Sequence, residues 1–92
     1  MKYTIIIEPT AQDDLKNIYN YIKNNDFEQR AKNFLLELKQ QIKSLEFMPN
    51  RCRNSHYSKE KNTKDLIYKG YIIVYTILDS TVHILAVFRQ KN

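Results

Sequence analysis

His56 and Tyr57 stand side by side in the stretch NRCRNSHYSKEKNTK (50–64), among Arg51, Arg53, Lys59, Lys61 and Lys64. Cleaving RNA without a metal requires three things. A base must take the ribose 2′-OH proton, cations must balance the charge developing on the phosphorus, and an acid must protonate the departing oxygen. His56 and Tyr57, with Arg89 and Lys91 at the end of the chain, are the candidates for those catalytic roles. Arg51, Arg53, Lys64, Arg89 and Lys91 are the candidates for gripping an anionic target. A histidine beside a tyrosine in a basic loop is also what a solvated connection looks like, and catalysis is not the expected mode of action. Tyr68, Tyr71 and Tyr75 are able to stack bases between cations, but at strand spacing they equally pack a sheet. His83 alternates with Val82 and Ile84, which predicts a hydrogen-bonded strand histidine sharing a face with Leu85 and Val87. There is no phosphate-cradling glycine loop, no helical pair of histidines and no G-x-S-x-G elbow.

The charge is divided unevenly. Residues 1–48 carry seven Lys/Arg and seven Asp/Glu, whereas residues 49–92 carry eight against three, so the net +5 lies wholly in the second half. Such asymmetry suits an anionic partner. Cys52 is the single cysteine, which excludes an intrachain disulfide and a cysteine-based zinc site. No apolar run approaches the roughly 20 residues that span a bilayer, and the first apolar run is too short for a secretory leader. A cytoplasmic protein without membrane association, metal or cofactor is the expectation.

The elements that must position these residues follow from periodicity. The 92 residues suit one domain, 1–92. YTIII (3–7) reads as a strand ended by Pro9. Thr10 with Asp13 resembles a capping box, and Ala11, Leu15, Ile18 and Ile22 then form one apolar helical stripe. Asp26 with Gln29 signals a second helix, whose stripe runs through Ala31, Phe34, Leu35, Leu38, Ile42 and Leu45 to an exit before Pro49. The short polar link predicts an antiparallel helical hairpin. Residues 50–64 lack a period and predict an exposed connection. DLIYK (65–69) predicts a strand, with Gly70 permitting a bend, and 71–78 and 81–88 predict a final hairpin around Asp79–Ser80. Both faces of 71–78 are apolar, so both should be covered, at least in part. Helices segregated from strands give an α+β fold.

PTAQDDLKNIYNYI (9–22), RAKNFLLELKQQIKSLEFMP (30–49) and GYIIVYTILDSTVHILAVF (70–88) together resemble the RelE/ParE superfamily of type II toxin–antitoxin toxins. The likeness rests on Ala11, Asp14, Leu15, Ile18 and Tyr21, the Leu45-to-Pro49 helix exit, and the Tyr71/Tyr75 pair, and it leaves out only the 50–64 loop. It implies a helical hairpin packed on a small antiparallel sheet, and neutralisation by a cognate antitoxin in a toxin–antitoxin hetero-oligomer. It also implies one of two targets: DNA gyrase for ParE-like members, or mRNA on the ribosome for RelE-like nucleases. The nucleases typically place Arg directly after the first Tyr of the penultimate strand, and this chain has Ile72. Their C-terminal tip often offers Arg followed by His or Tyr, whereas Arg89 is followed by Gln90 and Lys91. The resemblance is therefore closer to ParE. Tyr19, Tyr21 and Phe27 on the helical hairpin are the candidate antitoxin-binding residues. A ribosome-dependent endonuclease and a non-toxic basic interaction module are the alternatives.

Overall fold

The structure, a computed structural model, describes residues 2–91. Strand β1 (Thr4–Ile7) leads into α1 (Pro9–Asn25) and α2 (Glu28–Lys43), then a 3₁₀ turn over Ser44–Glu46 and another over Pro49–Arg51. Strands β2 (Arg53–Asn54), β3 (Thr63–Tyr68), β4 (Tyr71–Leu78) and β5 (Thr81–Arg89) complete the chain. The sheet order is β1-β5-β4-β3-β2. It is mixed rather than wholly antiparallel: β1 runs parallel to β5, while the other neighbours are antiparallel. The crossover from β1 to β5 carries the helical hairpin on one face.

The two apolar stripes are what bind the hairpin to the sheet. Ala11 and Leu15 of α1 and Leu38 and Ile42 of α2 are buried against Ile73, Tyr75, Ile77, Val82, Ile84 and Val87. A fully buried Leu or Ile contributes about 1.5–3 kcal/mol from removal of its surface from water, so these contacts dominate the positioning of the helices. Neither helix starts where the sequence signalled. The α1 N-cap is Glu8, with Pro9 in the first turn and no side-chain cap, so Thr10 and Asp13 do not form a capping box. The fixed φ of Pro9 starts the helix earlier. At α2 the N-cap is Phe27, and Asp26 instead pairs with Arg30 at 3.2 Å.

The β3–β4 connection is the two-residue turn Lys69–Gly70, with φ of +47° and +83°. Both values lie in the left-handed region, as a tight hairpin matched to strand twist requires. In β5 a bulge interrupts the pairing: Val74 faces Ala86 while Tyr75 faces Ile84, leaving Leu85 over. One extra residue inverts the alternation beyond it. Val87 therefore joins Val82 and Ile84 on the helix side, and His83 does not share a face with it as simple alternation predicted.

The bulge also explains Asp14. Its Oδ2 accepts the Val87 backbone N–H at 2.9 Å, tying α1 to β5 just beyond the irregularity.

The predicted open connection over 50–64 is more structured than its composition suggested. Arg53–Asn54 forms an edge strand on β3, and Thr63 and Lys64 belong to β3 itself. The intervening segment crosses the sheet face opposite the helices as a strap. His56 N–H donates to Asp65 Oδ2 at 3.0 Å, and the Tyr57 ring meets Phe88 edge-on at 4.9 Å between centroids. On the same face of β4, Ile72 is 0% and Val74 6% exposed, so this face is covered too. That coverage is why β4 is apolar on both faces.

Candidate functional site

The five cations proposed from sequence to grip an anionic target occupy separate places. Arg51 works inside the chain at the exit of α2. Its Nη1 donates to the carbonyls of Ser44, Phe47 and Met48 at 3.3, 3.1 and 3.4 Å, and its Nη2 donates to Ser44 Oγ at 2.6 Å. This bracket holds Met48 at φ +53°, a left-handed conformation that a non-glycine residue adopts only when its surroundings impose it. Behind the turn Pro49 is buried, and its carbonyl accepts the hydroxyl of fully buried Tyr75. Burial first, then the neighbouring Cys52 thiol, push the Tyr75 phenol far above its ordinary value. It stays a neutral donor, unsuited to base stacking or proton transfer.

Arg53 lies on the strap side. Its Nη2 pairs with Asp65 Oδ2 at 3.2 Å, and the Asp65 side chain is 0% exposed. One carboxylate oxygen thus receives both Arg53 and the His56 amide, while Asp65 Oδ1 and Arg53 Nε are buried without a partner among the described residues. Lys64 donates to Asn54 Oδ1 at 2.8 Å across the edge pair. His56 and Tyr57 sit on this side too, both exposed, with Tyr57 committed to Phe88. His83 is bonded through Nδ1 to Glu8 Oε1 at 2.8 Å, so its role as a hydrogen-bonded strand histidine holds.

Arg89 and Lys91 are exposed at the far end of β5 and form no ion pair among the described residues. Arg89 borders a cleft of about 860 Å³ between the helical-hairpin tip and the β3–β4 turn. Tyr21 and Phe27, each 58% exposed, stand at its rim, and Phe34 and Tyr71 meet at 5.2 Å between centroids within its lining. Two of the three hairpin aromatics named from sequence therefore share a cleft with one of the five cations. Tyr19 does not join them. It donates to Glu28 Oε1 at 3.1 Å and lines a different groove with Ile7, Leu15 and Leu35. Partial burial, then Glu28, raise its pKa.

A trio the sequence did not single out closes one side of the cleft. Glu37 accepts the Lys69 ammonium at 2.7 Å and the Tyr68 hydroxyl at 2.5 Å, and Lys69 lies 5.5 Å from the centroid of the Tyr68 ring. Lys69, then Tyr68, hold the Glu37 carboxyl below the usual carboxylate range. Glu37 in turn raises both Lys69 and Tyr68. Glu37 lies beside the α2 stripe, one position before Leu38, and only the fold brings it to Lys69. Nothing in the spacing signals the trio.

A helical hairpin laid across one face of a five-stranded mixed sheet, with β1 parallel to the last strand, is the architecture of the RelE/ParE toxins. Three solved structures share it. The chromosomal ParDE system of P. aeruginosa aligns with a TM-score of 0.84 at 16% identity, covering 98% of each chain. The RelBE2 toxin–antitoxin complex of Mycobacterium tuberculosis aligns at 0.74 and 21%, covering 100% of this chain and 95% of the other. A mutant of the E. coli toxin RelE in the free state aligns at 0.62 and 14%, covering 97% and 84%. No curated protein matches the sequence. Residues 5–92 match the family model for the ParE toxin of type II toxin-antitoxin system, parDE, and the chain belongs to that family. Among the described residues no helix is long and apolar enough to cross a membrane.

Proposed function

We propose that this toxin acts, when free, by binding DNA gyrase rather than by cutting mRNA, and that a cognate antitoxin neutralises it in a hetero-oligomer. One observation carries the choice of target. Ile72 occupies the position after Tyr71 where an RNA-cleaving relative is expected to carry Arg, and it is 0% exposed. A fully buried apolar side chain neither holds a scissile phosphate nor reaches one. The other requirements of cleavage are equally unsupported. His56 and Tyr57 lie on the strap side, where the neighbouring Arg53 is taken up by the buried Asp65; Arg51 is spent on the α2 exit, and Arg89 borders the cleft on the helix side. Among the described residues a base, an acid and a cation free of an ion pair do not converge on one point, whereas binding to a protein target needs no such convergence. The family membership and the toxin–antitoxin origin of two structural neighbours support the antitoxin partner.

Induced expression tests the reading. Growth arrest should come with DNA-damage signalling and linearised plasmid while transcripts stay intact. Rapid loss of translation with transcripts cut inside codons would overturn it in favour of a ribosome-dependent endonuclease, and unimpaired growth would leave only a basic interaction module.

A further inference from the structure

We propose that the groove along α1 and α2 beside the end of β1 is a binding site for a free amphipathic carboxylate of the medium-chain fatty acid class. Its volume is about 470 Å³, in the range of small-ligand sites. The floor is aliphatic: Leu15 is buried, and Ile7 and Leu35 are half-buried against the core. The charged side chains of the lining are Lys16 on α1 and Lys39 on α2, and among the described residues no carboxylate joins them and neither belongs to an ion pair. Lys16 lies nine residues before the end of α1 and Lys39 eleven after the start of α2. In an antiparallel hairpin at 1.5 Å per residue the two therefore stand within about 3 Å of the same height, one on each wall. The other polar groups of the lining are engaged. Gln12 Nε2 donates to the Ile7 carbonyl at 2.9 Å, and the Tyr19 hydroxyl donates to Glu28 Oε1 at 3.1 Å. What the groove lacks is a negative charge between its two ammoniums and a hydrocarbon body on its floor. A carboxylate on an alkyl chain supplies both.

Geometry selects a small ligand over larger ones. Packed helices lie about 8–10 Å apart, too close for a groove between them to admit a third helix about 10–12 Å across. An extended alkyl chain lies along such a groove. A nucleic-acid backbone is held by several cations at once, and this groove offers two. A flat bilayer does not follow a concave floor. The groove shares no lining residue with the cleft at the hairpin tip, so the inference goes beyond the proposed function and does not depend on it.

NMR titration of the full chain tests it. The probes are decanoate below its micelle-forming concentration, decanol as the uncharged chain of the same length, and butyrate as the same charge on a short chain. Decanoate should bind about tenfold more tightly than decanol, the size of one charge-assisted bond, and more tightly still than butyrate, which lacks most of the buried methylenes. Amide shifts should concentrate on residues 12–19 and 35–39. The double variant Lys16→Met/Lys39→Met keeps both apolar stems and removes both charges. It should leave the circular dichroism spectrum unchanged, since both lysines are exposed, and should bind decanoate no more tightly than decanol. Equal binding of decanoate and decanol to the parent, a preference for decanoate that survives in the double variant, or shifts centred on Tyr21, Phe27 and Tyr71 would overturn the proposal. So would capture by anionic phospholipid vesicles in preference to monomeric decanoate.

Discussion

Replacing Asp65 should release the strap that keeps the second face of the sheet dry. Its carboxylate receives Arg53 Nη2 at 3.2 Å and His56 N–H at 3.0 Å, with the side chain wholly buried. Hydrogen bonds to a charged group contribute about 1.5–3 kcal/mol each, and removing one partner of a buried pair costs about 3–5 kcal/mol. Two features lower that figure. The Arg53 side chain is 34% exposed and partly rehydrates, and Asp65 Oδ1 has no partner whose loss would add to the cost. A destabilisation of about 2 kcal/mol for Asp65→Ala is the balance, corresponding to a Tm lower by roughly 8–16 °C for a domain of this size. Asp65→Asn keeps an acceptor for His56 and should cost about half as much. Urea unfolding gives the energy. Tryptic cleavage at Lys59 and Lys61, which lie within the strap, gives its cause and should accelerate in Asp65→Ala before global unfolding. A variant within about 0.5 kcal/mol of the parent, the spread of ordinary surface substitutions, with unchanged cleavage at both lysines, would refute the strap.

Other expectations concern single contacts. Asp14→Ala leaves the Val87 N–H beyond the bulge without its acceptor and should cost about 1–2 kcal/mol in thermal unfolding. Tyr75→Phe strands the buried Pro49 carbonyl; it should cost about 1–3 kcal/mol and speed amide exchange around Met48. The Glu37–Lys69 pair should give stability a defined pH window. Glu37 titrates lower in the folded chain than its ordinary value of about 4.5, so its contribution is complete above that value and is lost as pH falls through the depressed one. Lys69 titrates higher than its ordinary 10.5, so its contribution is complete below 10.5 and is lost as pH rises through the elevated one. Urea midpoints followed from neutral pH into acid should therefore fall less steeply in Lys69→Met than in the parent.

The parts of the fold that sequence disclosed are those written in a period. Ala11, Leu15, Leu38 and Ile42 repeat at helical spacing and are buried. The alternation of 71–78 and 81–88 marked both strands of the last hairpin to within a residue. What escaped depends on contacts between distant residues. A two-residue edge strand has no period, so Arg53–Asn54 looked like loop. Asp65 read only as the first residue of a predicted strand, because its partners, Arg53 and the His56 amide, reach it only after the strap folds back. The β5 bulge leaves no mark in HILAVF and reverses every facing beyond Ile84. The candidate site can be compared with the sequence only in where its residues fall. Tyr21, Phe27 and Arg89 do meet in one cleft, but Arg51 and Arg53, identical to Arg89 in charge, are drawn off by carbonyls and a buried carboxylate that a linear reading does not see.

The target is decided most directly with purified components: DNA gyrase, relaxed plasmid and ATP, with increasing amounts of the toxin, beside a translation reaction programmed with a defined mRNA. Supercoiling should be lost or linear DNA should accumulate as the toxin is added, while the mRNA stays full-length. Gyrase working undisturbed at toxin concentrations that cut the ribosome-bound message would contradict the binding mechanism at its root.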